Sequence, residues 1–428
     1  MRRVLLIGAA VIAALLLCLA VIVQTACAPD NSQHLPGAVT SSGPAAQSST
    51  TSTAAAASTS ATASGAAAQP TVDITIAAVG DVMVHTATRL SAWNLGNGVA
   101  YDFKPMFAAI APYLRRADYT VCNLETRMAG GGLPYTGYPR FNAPDELADA
   151  LAYAGVDLCA TANNHSADKG WPGIVNTLKR LDAVGIAHIG TYRNPKDKAV
   201  PFIADIKGIK VAFINYTDYL NERTPPAAWT VNFLKDPRQV AADAQAARKA
   251  GADIIIAFLH WGREWAILPN DEQTSYALGS RRYPGLLAEG VDVILGAHPH
   301  VPQDAIGIRR EYASGSRNKY VVYSMGNFLS DMTTPHADSG VIVYVNIRKT
   351  GERVEVTGLR YMGVYMQQSG GYPPKLVIEP LLPGVEPAPG YPIGVTLQRH
   401  LDSIWGYITR RYYHPDMNIL PFDPSERP

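Results

Sequence analysis

AGVDLCATANNH, residues 154–165, holds the unit on which the fold is built. A glycine ends what precedes it, Val156 and Asp157 lead into an apolar run, and the run stops at Asn163, Asn164 and His165. The same opening recurs as AGADI at 250–254 and EGVDV at 289–293. Glycine suits the left-handed position that closes a helix. Helix, glycine and strand in three repetitions predict βα units with largely parallel pairing. Two amides and an imidazole at a strand tip then need a reason of their own.

Other strand-like runs end the same way. ITIAAVGD stops at Asp81, and YTVCNLE at Asn123 and Glu125. DIIIAFLHWG stops at His260, VDVILGAHPH at His298 and His300, and KYVVYSMGNF at Asn327; KVAFINYTD is similar. The runs are continuously apolar, as strands covered on both faces are. DELADALAYAG, DPRQVAADAQAARKAG and RRYPGLLAEG read as the intervening helices. Further on, KTGER separates two strand-like runs, a hairpin signal that adds antiparallel strands. Residues 71–370 form the domain on this reading. Residues 371–428 form a Pro- and Gly-rich extension in which HLDSIWGYITRRYYHP is one short docking helix.

Composition bounds the function. The chain has 428 residues, 47% hydrophobic and 17% charged, with a formal net charge of +1. That is enough apolar material for a sizeable core, and it provides no basic surface for nucleic acid. Arg2 and Arg3 precede an apolar run from Val4 to Val23 and then QTAC, ending at Cys27. Charged start, apolar middle and small residues form an export pattern over residues 1–27. Its ending resembles a bacterial lipobox, with Cys27 the lipidated residue and Gln24 where an apolar residue is usual. An uncleaved membrane helix is the other reading, since about 20 apolar residues span a bilayer. Either way the protein is expected outside the cytoplasm, anchored to the outer face of the cytoplasmic membrane. Residues 28–70, largely Ala, Ser, Thr and Gly, read as a disordered tether. Cys122 and Cys159 remain in the domain, either as a disulfide or as neighbouring buried thiols.

In parallel α/β folds, ligands bind beyond the carboxyl ends of the strands. A lone histidine there is usually structural and a lone asparagine is usually a turn residue. Several imidazoles converging with carboxylates suit a divalent metal instead.

GDVMVH, NLE, ATANNH, HWG, GAHPHV and SMGNF, in this order, resemble the CapA family of poly-γ-glutamate capsule-synthesis proteins, related to the calcineurin-like metallophosphoesterases. The resemblance covers roughly residues 73–365 and implies an α/β/β/α sandwich of calcineurin-like type. It implies one or two divalent ions, Mn, Zn, Fe or Mg. Asp81 and His300 resemble ligands of a first ion, Glu125 a bridging carboxylate, and Asn164, His260 and His298 ligands of a second. His165 resembles the acid that protonates the leaving group. The family pattern places a histidine where this chain has Met83, and His85 is the alternative ligand two residues on.

Asn123, Asn163, Arg263, Glu264, Asn327 and Arg140 are the candidate substrate contacts, Arg140 from the glycine-rich GGGLPYTGYPR. Asn163 is also read as a turn partner. Trp261 and Trp265 are expected in the core, and His188 and His336 as ordinary residues. The resemblance implies hydrolysis by metal-activated water in the metabolism of poly-γ-glutamate or a related anionic extracellular polymer. Its alternative is a non-hydrolytic accessory subunit that binds the polymer or supports its export. In either case the partners would be that polymer, the bacterial membrane and membrane-embedded capsule synthase subunits.

Overall fold

The computed structural model describes residues 69–221, 225–312, 315–383 and 395–426. The export segment, Cys27 and the tether up to residue 68 lie outside the described residues.

The strands are β1 (Thr71–Val82), β2 (Tyr119–Leu124), β3 (Leu158–Ala160), β4 (Ala187–Ile189), β5 (Phe202–Ile206), β6 (Ile209–Thr217), β7 (Ile254–His260), β8 (Val293–Ala297), β9 (Ala305–Arg310), β10 (Arg317–Val322), β11 (Asn327–Leu329), β12 (Ser339–Thr350), β13 (Arg353–Ser369), β14 (Lys375–Leu381) and β15 (Ile419–Pro421). One sheet runs β14-β13-β12-β1-β2-β3-β4, with β11 joined to β1 and β15 to β13. The other runs β5-β6-β7-β8-β10-β9. Pairing is parallel from β1 through β4 and among β6, β7, β8 and β10. The antiparallel strands sit towards the edges. They include the β12–β13 hairpin, whose turn carries Gly351 at φ 58°.

Three apolar layers define the architecture. Ile74, Ile76 and Ala78 of β1 meet Phe213, Ile256 and Leu295 between the sheets. Val79, Cys122 and Cys159 point the other way, against Phe107, Leu147 and Leu151. On the second sheet Ile255 and Ile294 pack on Val240, Ala244 and Ala277. Alternate residues of one strand thus face opposite layers, so the runs must be apolar throughout. Helix, sheet, sheet, helix is the expected α/β/β/α sandwich.

The helices bear out the punctuation of the sequence, with one exception. α1 covers Thr86–Leu95, α2 Glu146–Ala154, α3 Gly170–Ala183, α4 Pro237–Lys249, α5 Asp271–Leu278 and α6 Val395–Tyr412. α2 ends on Gly155 at φ 94°, and Gly155 and Val156 donate back to Ala152 and Leu151. RRYPGLLAEG is not a helix: residues 281–290 form turns and bridges. Gly285, at φ 91°, packs so close to the end of α5 that a Cβ there would lie 2.4 Å from the Leu278 carbonyl carbon. Leu286 and Leu287 donate to Tyr276 and Ala277, so their apolar pattern serves burial without helix.

The repeated aspartates also have a role. In each case the carboxylate accepts the backbone N–H of the neighbouring strand: Asp157 from Thr120 at 2.8 Å, Asp253 from Lys210 at 2.8 Å, and Asp292 from Ile255 at 2.9 Å. Asp118 does the same for Thr75 at 2.9 Å. Each aspartate satisfies an otherwise open donor just before a parallel pairing begins, which favours one register there. Register in turn decides which residues reach the carboxyl ends.

Of residues 371–428, those described pack against the sheets. β14 pairs with β13 along its length, and α6 buries Ile404, Ile408 and Tyr412 in the layer between the sheets. Cys122 and Cys159 are register partners with free thiols, Sγ to Sγ 3.2 Å, so they are neighbouring buried thiols.

Candidate metal centre

The carboxyl ends of the parallel strands meet at one place. Asp81 lies near the end of β1, Glu125 just past β2, the Asn163–His165 loop past β3, His260 at the end of β7, and His298 and His300 just past β8. All are buried. Two groups of potential metal-ligating atoms form, Asp81–Glu125–His260 and Glu125–His298–His300, with the atoms of each group within 4.8 Å of one another. Glu125 belongs to both, the place of a bridging carboxylate. Asp81 stands beside both His260 and His300, 3.9 Å and 3.0 Å from their Nδ1 atoms.

The close pairs fill in the centre. Asp81 Oδ2 lies 3.0 Å from His300 Nδ1 and accepts the His298 N–H at 3.2 Å. Asn164 Oδ1 lies 2.9 Å from His260 Nε2, so this amide turns its oxygen towards the centre as expected. Glu125 Oε1 is 3.7 Å from His260 Nε2 and 3.8 Å from His300 Nε2.

Two features are costly unless the centre binds something. Both Glu125 oxygens and His298 Nδ1 are buried without a hydrogen-bond partner, with Glu125 0% exposed. An unmet buried polar group costs about 1–3 kcal/mol. His298 and His300 also adopt left-handed backbone, at φ 94° and 60°, which is uncommon outside glycine and stores about 1–3 kcal/mol each. That turn brings both imidazoles to the centre. Carboxylate, imidazole and amide oxygens with open lone pairs are the donor set of a divalent ion. The residues present fit one.

Electrostatics agree. Burial drives the His260 imidazole well below its usual range, helped by His298 and His300, and lowers His298 to about 3. Both rings stay neutral, the form that coordinates. Burial and the neighbouring Asp81 hold the Glu125 carboxyl well above the usual range. An acid limb follows for metal-free protein. Between pH 6.5 and about 3 the unfolded chain protonates His298 and the folded chain does not, so folding stability falls as pH drops through this window. The raised Glu125 carboxyl works in the opposite direction, because the folded chain protonates it before the unfolded chain does. The His298 loss, roughly a few kcal/mol from pH 6.5 to 4, is therefore expected in denaturant titrations in chelator as the difference between the wild type and His298→Ala, and a flat difference would contradict a neutral His298.

His165 stands outside both groups. Its Nδ1 lies 2.7 Å from Asp168 Oδ2, which also accepts the Phe141 N–H at 2.6 Å. Asn221 Nδ2 lies 3.1 Å from its Nε2, and the Phe141 ring packs edge-on to the imidazole, centroids 4.5 Å apart. Asp168 was not singled out from the sequence, although H-x-x-D within HSAD was its signal. Arg127 was missed too. Fully buried, it donates to Leu124 O, Thr161 O and Asn163 Oδ1, tying the loops after β2 and β3 together.

Three expected substrate contacts turn inward. Asn163 donates to Leu124 O at 2.7 Å. Asn123 donates to Asp81 Oδ1 at 2.6 Å and lies 3.1 Å from His260 Nδ1. Asn327 donates to Ala337 O at 2.8 Å and sets its Oδ1 3.1 Å from His300 Nδ1. All three are buried amides committed to the protein, because the strand ends leave donors and acceptors that water cannot reach. Arg140, Arg263 and Glu264 are exposed.

His85 is in neither group. Its Nδ1 lies 3.2 Å from Asp331 Oδ1, while Met83 is buried in the core. Trp261 is core, donating to Tyr323 O at 3.0 Å, but Trp265 is 50% exposed on the loop beyond β7. Asp218, just past β6, was unassigned from sequence. It accepts the Gly262 N–H at 3.0 Å, and burial pushes its carboxyl up to about 7.

Residues 75–332, more than half of the chain, match the family described as bacterial capsule synthesis protein PGA_cap. The chain belongs to that family. Similar to this PGA_cap chain are the capsule biosynthesis protein CapA of Bacillus anthracis, 25% identical over 290 residues, and the PGA biosynthesis protein CapA of Bacillus subtilis, 26% identical over 299. Each match covers 66% of this chain, and 66% and 70% of those proteins respectively. A probable polyglutamine synthesis accessory protein of Mycobacterium tuberculosis is 27% identical over 231 residues, 50% of this chain and 56% of that one. Among solved structures, NAD nucleotidase of Haemophilus influenzae has a TM-score of 0.41 at 13% identity, covering 84% of this chain and 65% of that one. The calcineurin-like phosphoesterase YfkN of Bacillus subtilis has 0.40 at 13%, covering 80% and 100%.

Proposed function

We propose that the chain is a metal-dependent hydrolase of poly-γ-glutamate or related capsule-polymer metabolism, cleaving a phosphoester or an amide bond. The observation that carries this is Glu125, whose two oxygens are buried and unpartnered among Asp81, His260, His298 and His300. When bound, one or two divalent ions supply Lewis acidity towards a phosphoryl or carbonyl oxygen and lower the pKa of water. Asp81, Glu125, Asn164, His260, His298 and His300 would hold them. His165 donates a proton to the leaving group, and Asp168, accepting from Nδ1, holds the ring in place.

A non-hydrolytic accessory role is the second reading. Met83 favours it, because its buried side chain withdraws one nitrogen ligand and His85 is turned to Asp331. Metal analysis of the purified full chain separates the two, combined with turnover of a generic phosphodiester and of poly-γ-glutamate across added Mn, Zn, Fe and Mg. Bound metal with turnover is the expected result. Tight polymer binding without turnover under every metal would overturn the hydrolase.

We further place the site of action outside the cell, at the outer face of the cytoplasmic membrane, on the strength of the charged and apolar residues 1–27. Radiolabelled palmitate is expected to enter the protein in cells and to be lost in Cys27→Ala. Equal incorporation in both proteins rules out lipid attachment at Cys27.

A further inference from the structure

Away from the centre, a cavity of about 590 Å³ opens beside β4, β5, β6 and α4. Its volume falls in the range of about 300–1,000 Å³ typical of small-molecule sites. Ile189, Phe202 and Phe213 give it apolar walls. Polar and charged groups make up much of the rest of its lining, Arg193 among them being engaged by Asp182.

Asn232, 2% exposed, donates through Nδ2 to Tyr192 Oη at 3.0 Å and to Asn215 O at 3.1 Å, but its Oδ1 has no partner. Tyr192, accepting from Asn232, keeps its own proton to donate. Lys198 and Asp243 both line the cavity and feel each other's charge, yet no ion pair joins them among the described residues. Asp243 Oδ2 accepts the Tyr216 hydroxyl at 2.8 Å, which fixes the carboxylate in place. The half-buried Lys198 ammonium and the Asp243 carboxylate, exposed at the rim and held by Tyr216, border one space without closing on each other and suit a ligand with both complements.

We propose that this cavity binds an amino-acid group, its carboxylate on Lys198 and Tyr192 and its ammonium on Asp243 and Asn232 Oδ1. The group can be a free amino acid or the amino end of a γ-linked peptide, which keeps both charges on one carbon. The cavity lies one residue from the centre's loop. Asn215 lines it and also accepts the Ala162 N–H at 2.6 Å, next to Asn163.

Calorimetric titration of the full chain with L-glutamate and with γ-glutamylglutamate, in chelator, tests this without the metal centre. The hydrolase reading can therefore fail while this one stands. N-acetylglutamate and butylamine each lack one of the two charges. Saturable binding is expected for the first two compounds and not for the controls. The tighter of the two identifies a free amino acid or a chain end. Lys198→Met and Asp243→Asn should each weaken binding about tenfold or more, as loss of a charged hydrogen bond does. The half-exposed Lys198 position carries the test if Asp243→Asn does not fold, as judged by its unfolding midpoint. No saturable binding, equal binding of N-acetylglutamate, or unchanged affinity in folded variants would overturn the proposal.

Discussion

Glu125→Leu is expected to lose tight divalent-metal binding and, with it, any turnover, while the metal-free protein becomes more stable. The two effects come from one cause. Glu125 is shared by both groups of ligands, so its removal strips each of its carboxylate. Partners that merely support metal ligands change affinity about 10–100-fold, and a shared ligand should exceed the upper end of that range. Without metal, however, the carboxyl is buried, lacks a hydrogen-bond partner and is pushed well above its usual range by burial and Asp81. Leucine fills similar space with nothing to satisfy, so roughly 1–3 kcal/mol should return to the apo fold. Calorimetry with Mn or Zn reads the first effect, and denaturant unfolding in chelator reads the second. A structural Glu125 would give the opposite pattern, with metal uptake retained and stability reduced.

That opposition bears on what sequence can reveal. The βα rhythm was legible because each feature has a local cause: continuous burial in β7, the left-handed Gly155, and a hairpin at Gly351. RRYPGLLAEG misled because its apolar spacing serves burial, while Gly285 takes a left-handed backbone that no helix interior has. The convergence of Asp81, Glu125, Asn164, His260, His298 and His300 could be anticipated because parallel strands bring their carboxyl ends together. The fate of single amides could not. Whether Asn163 faces substrate or Leu124 O depends on which carbonyls the fold leaves open, and that is settled in three dimensions. Arg127 was invisible for a related reason. A buried guanidinium held by carbonyl oxygens has no sequence neighbour that announces it.

His165→Ala should leave metal content unchanged and reduce turnover by about 10²–10⁴-fold, the usual contribution of a positioned acid. The separation rests on geometry, since His165 is in neither ligand group and is held by Asp168 and Asn221. The loss should be largest for substrates with poor leaving groups and small for nitrophenolate-type leaving groups, which depart without a proton. Asp168→Asn makes a sharper test, because the ring remains but the carboxylate that holds its Nδ1 is gone. Its turnover should fall, though less than in His165→Ala, at unchanged metal content. If Asp168 serves only to receive the Phe141 N–H, the variant will lose stability while the folded fraction keeps its turnover. Metal lost together with His165 would instead make this ring part of the centre's framework, and proton donation would then need another source.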